Sequence, residues 1–135
     1  MKGPAYKLGQ MLSHADGLHL EYCRHKRGGS VPPQLLGNAL MGQACTNPTR
    51  ALSQLTDRIR VYQAWARSDQ SEGARLAKWH LGQMGPIAND LADAELPSRI
   101  TDVEKAELLL GYLARSEKKS NADDEENKEE AGNVE

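Results

Sequence analysis

The 135-residue chain contains no phenylalanine, and its tryptophans and tyrosines make up only 4% of the residues. Its core must therefore be built from Leu, Ile, Met and Ala, a palette that favours packed helices over a sheet. Strand-like alternation and Asn-Gly hairpin signals are also missing. Two cysteines, Cys23 and Cys45, are too few for a disulfide scaffold and fit a reducing cytoplasm. No run of 18 or more apolar residues occurs, which excludes a helical membrane span. The opening segment MKGPAYKLGQML lacks the apolar region and small-residue cleavage site of a secretory signal, so a cytoplasmic protein is expected. The length suits one domain.

Charge is present but unevenly placed. The formal net charge of −2 is the sum of opposed segments. Residues 116–135, SEKKSNADDEENKEEAGNVE, carry −5, while residues 22–80 carry +6 and residues 81–115 return −3. Low hydrophobicity and dense charge predict a disordered acidic tail over 116–135, which leaves 1–115 as the folded body. Such a tail buries too little to offset its own ordering entropy. Removing everything after Arg115 is therefore expected to leave the thermal midpoint nearly unchanged, as a melting curve of the shortened chain would show.

The spacing of apolar residues predicts a compact all-α bundle of about five helices. The strongest segment is Asn47–Arg67, NPTRALSQLTDRIRVYQAWAR, taken as the element around which the rest is organised. Asn47 suits an N-cap and Pro48 the first helical position. Leu52, Leu55, Ile59, Tyr62 and Ala66 then recur at helical spacing. Ahead of it, residues 4–23 read as a helix with Leu8, Met11, Leu12, Ala15 and Leu18 inward. Gly9 suits a close approach to another helix. A basic loop, Arg24-His25-Lys26-Arg27-Gly28-Gly29-Ser30, follows, and a short helix starts at Val31-Pro32-Pro33 with Leu35, Leu36, Ala39 and Leu40 buried. The helix over 72–94 places Leu76, Trp79 or His80, Met84, Ala88 and Leu91 inward, and Pro86 should kink or split it. Thr101 and Glu104 form a capping box for a last helix, whose apolar positions are Val103, Ala106, Leu109, Leu110 and Leu113. Single apolar stripes of this kind suggest a chain that is mostly monomeric on its own.

Signs of catalysis are lacking. The acids of the body are scattered, no His–nucleophile pair is evident, and Gly82 and Gly85 lie in a helical pattern with no preceding strand to make a phosphate loop. His19, Cys23 and His25 are close in sequence, but a structural zinc site needs four ligands and no second Cys/His pair follows. No enzyme, metal, cofactor or small-molecule substrate is expected.

The basic residues point elsewhere. Arg24, Lys26 and Arg27 on the loop, with Arg50, Arg58, Arg60, Arg67, Arg75 and Lys78 on the helices, suit phosphate contacts that neutralise backbone charge without reading sequence. Few aromatics remain for base stacking, and no helix-turn-helix or zinc finger offers base readout. A nucleic-acid partner would be held by its backbone. On composition alone, a helical protein–protein interaction module or a stand-alone DNA-binding regulator are the alternatives.

Two motifs at the ends of the body add a family resemblance. Pro4-Ala5-Tyr6-Lys7-Leu8-Gly9-Gln10-Met11-Leu12 resembles the P-A-Y-x-L-G-R-L motif opening the C-terminal helical domain of the type I-C CRISPR Cascade large subunit. Residues Glu104 to Arg115, EKAELLLGYLAR, are similar to the E-x-x-x-F-x-L-G-Y-Y segment that closes that domain. Between them, Leu36-Gly37-Asn38-Ala39-Leu40 and Asn47-Pro48-Thr49-Arg50-Ala51-Leu52 fall where the family has a short helix and then a proline-started one. Gln10 replaces the motif's arginine and Leu113 its second tyrosine. In that family the domain is also made as a separate protein from an internal start codon, and Met1 lies just ahead of the motif. The resemblance implies a non-catalytic Cascade small subunit that braces the large subunit, the crRNA backbone subunits and further copies of itself. It would also contact crRNA and one strand of the opened target DNA.

Overall fold

The computed structural model describes residues 3–26, 29–94, 96–97 and 99–114. Residues 116–135, the segment read as an acidic tail, lie outside them. The described residues are all-helical. The helices are α1 (Pro4–Lys26), α2 (Leu36–Thr46), α3 (Pro48–Arg58), α4 (Arg60–Ser68) and α5 (Glu72–Asp93). A further helix, α6, covers residues 102–114.

The central element is α1, and not the 47–67 segment as the sequence suggests. It packs against α2, α3, α4 and α5. Leu8, Met11, Leu12, Ala15 and Leu18 are all buried, as their spacing predicts, and so are Ser13, His14, Glu21 and Cys23 on its other sides. The 47–67 segment is divided by a turn at Ile59 into α3 and α4. The helical ladder nevertheless runs through, because the Ile59 N–H donates to the Leu55 carbonyl (3.0 Å) and the Gln63 N–H to the Ile59 carbonyl (2.9 Å). Its cap is as read: the Asn47 side-chain oxygen accepts the Arg50 N–H at 3.1 Å, with Pro48 buried behind it.

α2 starts later than its two prolines suggest, at Leu36, and its start is set by α1. The Leu36 N–H donates to His19 Nδ1 (2.9 Å) and the Asn38 N–H to Asp16 Oδ1 (3.1 Å). Orphaned N–H groups of a helix start need such acceptors, and here a neighbouring helix supplies them. The other Asp16 oxygen accepts the Tyr112 hydroxyl of α6. One carboxylate thus ties three helices. Asp16→Ala should cost about 2 kcal/mol, a cap and a charge-assisted bond together, and chemical denaturation would measure it.

α5 remains one helix through Pro86, where the sequence predicts a kink or a split. Pro86 and Gly82, whose carbonyl the proline leaves without a helical donor, are both exposed. The buried side of α5 is Gly73, Ala74, Ala77, His80, Met84 and Leu91. Leu76, read as inward, is exposed, and of the alternatives Trp79 and His80 it is His80 that is buried and Trp79 that is exposed. Small Ala74 and Ala77 let α5 lie close on α1, and His80 is accepted inside because its Nδ1 meets His14 Nδ1 at 3.1 Å. A buried polar atom with a partner avoids the desolvation penalty.

α6 begins with the expected reciprocal capping box. The Thr101 N–H donates to Glu104 Oε1 (3.0 Å) and the Glu104 N–H to Thr101 Oγ1 (3.2 Å). Most of its large apolar residues face away from the body. Leu108 and Gly111 face α1 and are buried, whereas Val103, Leu109, Leu110 and Leu113 are exposed. Gly9 explains this: a Cβ there would overlap the Leu108 carbonyl oxygen and sit 2.8 Å from the Tyr112 nitrogen. A Cβ on Gly111 would likewise overlap the Tyr6 carbonyl. The two backbones touch at this crossing, so glycines, and not leucines, make the contact.

Candidate nucleic-acid interface

Trp65 sets the angle between α4 and α5. It is buried, and its Nε1–H donates to Asp69 Oδ2 at 3.0 Å. Asp69 Oδ1 accepts the Ser71 N–H (2.8 Å), and Ser71 Oγ caps α5 by accepting the Ala74 N–H (3.2 Å). His25 stacks on the Trp65 ring at 6.4 Å between centroids, and Tyr22 meets it edge-on at 5.6 Å. The turn joining α4 to α5 is therefore held by side-chain bonds, and the faces of the two helices keep a defined relation.

A groove of about 510 Å³ opens between α3–α4 and α5. Met11, Ile59, Leu81 and Met84 give it an apolar floor, while Arg67 and Lys78 stand on opposite walls. At roughly 100° per residue, Arg60 lies on the same face of α4 as Arg67, and Arg75 on the same face of α5 as Lys78. All four side chains are exposed. Gly82 and Gly85 line the α5 wall and have nothing within 4 Å of where a Cβ would stand. The wall is therefore open beside the cations. No aromatic ring lines the groove, so the site offers positive charge over an apolar floor without a stacking platform.

The nine basic residues singled out in sequence do not form one surface. Arg67 and Lys78 line the groove, and Arg60 and Arg75 stand about two turns and one turn away on the same sides of α4 and α5. Arg50 and Arg58 are exposed but project from other faces of α3. Arg24 is exposed and pairs with Glu21 at 3.5 Å, a carboxylate that also holds His25 at 3.3 Å. Arg27 lies outside the described residues, as does the side chain of Lys26. Arg60 reaches Asp57 at 3.7 Å, but both groups are mostly exposed, so that pair holds little energy. Among the described residues, no carboxylate lies within ion-pair reach of Arg67, Arg75 or Lys78.

The apolar floor was not assigned to a site from sequence, because Met11 and Met84 carry only a core signature. The usable signal was the Lys78, Gly82, Gly85 spacing, which puts a cation and two missing side chains on one helical face. The histidines are engaged in packing. His19 accepts from Leu36 and stacks on Tyr62 at 5.1 Å, and His14 meets both Trp79 and His80. Among the described residues no group of three His, Cys, Asp or Glu side chains converges, and no helix is long and apolar enough to cross a membrane. No protein-family model, curated protein or solved structure matches the chain.

Proposed function

We propose that this chain is a non-catalytic small subunit of a type I, I-C-like CRISPR Cascade complex, acting in the cytoplasm. It holds the crRNA-guided assembly and the opened target DNA through sequence-independent backbone contacts. The observation that carries this reading is the groove with Arg67 on one wall, Lys78 on the other and no aromatic ring between them, with exposed Arg60 and Arg75 on the same faces of the two helices. Cations without a stacking platform beside them favour phosphates over bases. In such a complex guide pairing supplies sequence specificity, and the protein needs only shape and charge. The order of the motifs from Pro4 to Arg115 supports the choice of family. The partners are then the large subunit, the crRNA backbone subunits, further copies of this chain, crRNA, and the target or displaced strand.

The test is charge reversal in the assembled complex. With Arg60, Arg67, Arg75 and Lys78 all changed to Glu, guide-RNA loading should survive, because the core is untouched. Stable opening of target DNA should weaken. Full opening by the quadruple variant at every salt concentration would reject the reading. The alternative of a helical protein–protein interaction module draws on a different observation, the outer face of α6.

A further inference from the structure

Eight large hydrophobic residues are exposed among the described ones, and four of them, Val103, Leu109, Leu110 and Leu113, lie on the 13 residues of α6. Their exposures are 69%, 51%, 58% and 48%. This is a concentrated patch and not the scatter expected of a monomer surface. Ala106 is exposed beside them. The positions 103, 106, 110 and 113 are spaced three, four and three, which is the a/d pattern of a coiled-coil seam. Two acids flank the seam, Asp102 at the first turn and Glu107 on the opposite edge. A seam of this spacing fits another helix, whose side chains interdigitate with it.

The residue sizes identify that helix. If α6 meets a second α6 running antiparallel, about a two-fold axis at the level of residue 108, Val103 faces Leu113 of the other copy and Ala106 faces Leu110. Each contact pairs a larger residue with a smaller one, as close packing requires. Leu109 then lies beside its own copy near the axis. Glu107, which could oppose its counterpart there, instead turns its carboxylate toward Gly3 at the start of α1. A parallel pair would set Ala106 against Ala106 and Leu110 against Leu110, leaving a gap at the alanines. Residues 116–135 offer little apolar material for such a seam, with only two alanines and one valine among them.

We propose that two copies of this chain pair through α6, antiparallel, along the Val103–Ala106–Leu110–Leu113 seam. The pairing is independent of the nucleic-acid reading, and it reverses the sequence expectation of a monomer. Two heptads make a small interface, so the association is concentration-dependent.

Sedimentation equilibrium of the full chain without nucleic acid tests it. Between about 5 µM and about 1 mM, a range that brackets weak self-association, the average mass should rise from 14.8 kDa toward twice that value. Leu110→Glu and Ala106→Lys should each remain at the single-chain mass while keeping the helical circular dichroism of the parent. Mixing the two variants should restore the doubled mass, because the antiparallel register brings Lys at 106 against Glu at 110 in one of the two equivalent contacts. A parent that stays at 14.8 kDa throughout would overturn the proposal. So would a dimer indifferent to both substitutions, or a mixture that fails to recover.

Discussion

Gly9→Ala should lower the melting temperature, by up to about 8–16 °C, and Gly82→Ala should raise it. The same substitution is made twice in a helix and has opposite signs. Alanine is favoured over glycine in a helix interior by about 1 kcal/mol, and at Gly82 nothing opposes that gain, since its Cβ would meet open space. At Gly9 the added carbon would overlap the Leu108 carbonyl. α1 and α6 would have to separate, losing the fully buried packing of Leu108 and straining the bond between Tyr112 and Asp16. Overpacking typically costs about 1–3 kcal/mol, and here the obstacle is backbone, which cannot rotate away. The loss exceeds the propensity gain. For a body of this size each kcal/mol moves the midpoint by roughly 4–8 °C. Gly37→Ala should behave like Gly9→Ala, because its Cβ would overlap the Leu12 carbonyl. Calorimetry of the three variants measures both signs, and a midpoint for Gly9→Ala at or above that of the parent would show that the helices do not touch there.

These glycines also mark where sequence reading stops. The caps at Asn47 and Thr101 were legible because each motif and its acceptor lie within three residues of each other. The cap of α2 was not, since its acceptors stand 17 and 22 residues away on α1. The buried faces of α5 and α6 are hard to read for one shared reason. Hydropathy points to Leu76, Leu109 and Leu110, but close crossings are made by Ala74, Ala77 and Gly111, which carry little hydropathic signal. Spacing leaves Trp79 and His80 as alternatives for one inward position, and the meeting with His14 decides it for His80. The prominence of α1 was hidden similarly, because Ser13, His14 and Glu21 interrupt its apolar pattern although all three are buried. Of the site, the exposure of the basic residues was legible from the Asn47–Arg67 pattern. Their separation into a groove set and a scattered set was not, because it depends on how the Trp65–Asp69–Ser71 turn aims α4 against α5.

That separation leads to the second large effect, on nucleic-acid binding by the chain itself. If the four groove cations each neutralise one phosphate, the log–log salt slope is about −2.8 for a single strand and about −3.6 for duplex. Between 50 and 200 mM salt the affinity then falls about 50-fold on a single strand and about 150-fold on duplex, with no sequence preference. Changing Arg60, Arg67, Arg75 and Lys78 to Glu should flatten both slopes to near zero. Changing Arg50 and Arg58 to Glu adds the same kind of charge on other faces of α3, and should shift the slope by less than one phosphate's worth. The comparison matters because net charge alone also attracts a polyanion at low salt. A surface acting only through net charge would respond in proportion to the number of reversals, wherever they are placed. A groove acting through local contacts responds to position. Anisotropy titrations of labelled single-stranded and duplex oligonucleotides across that salt range separate the two. If affinity falls in step with the number of charges reversed and ignores their position, the groove is only a solvated basic surface.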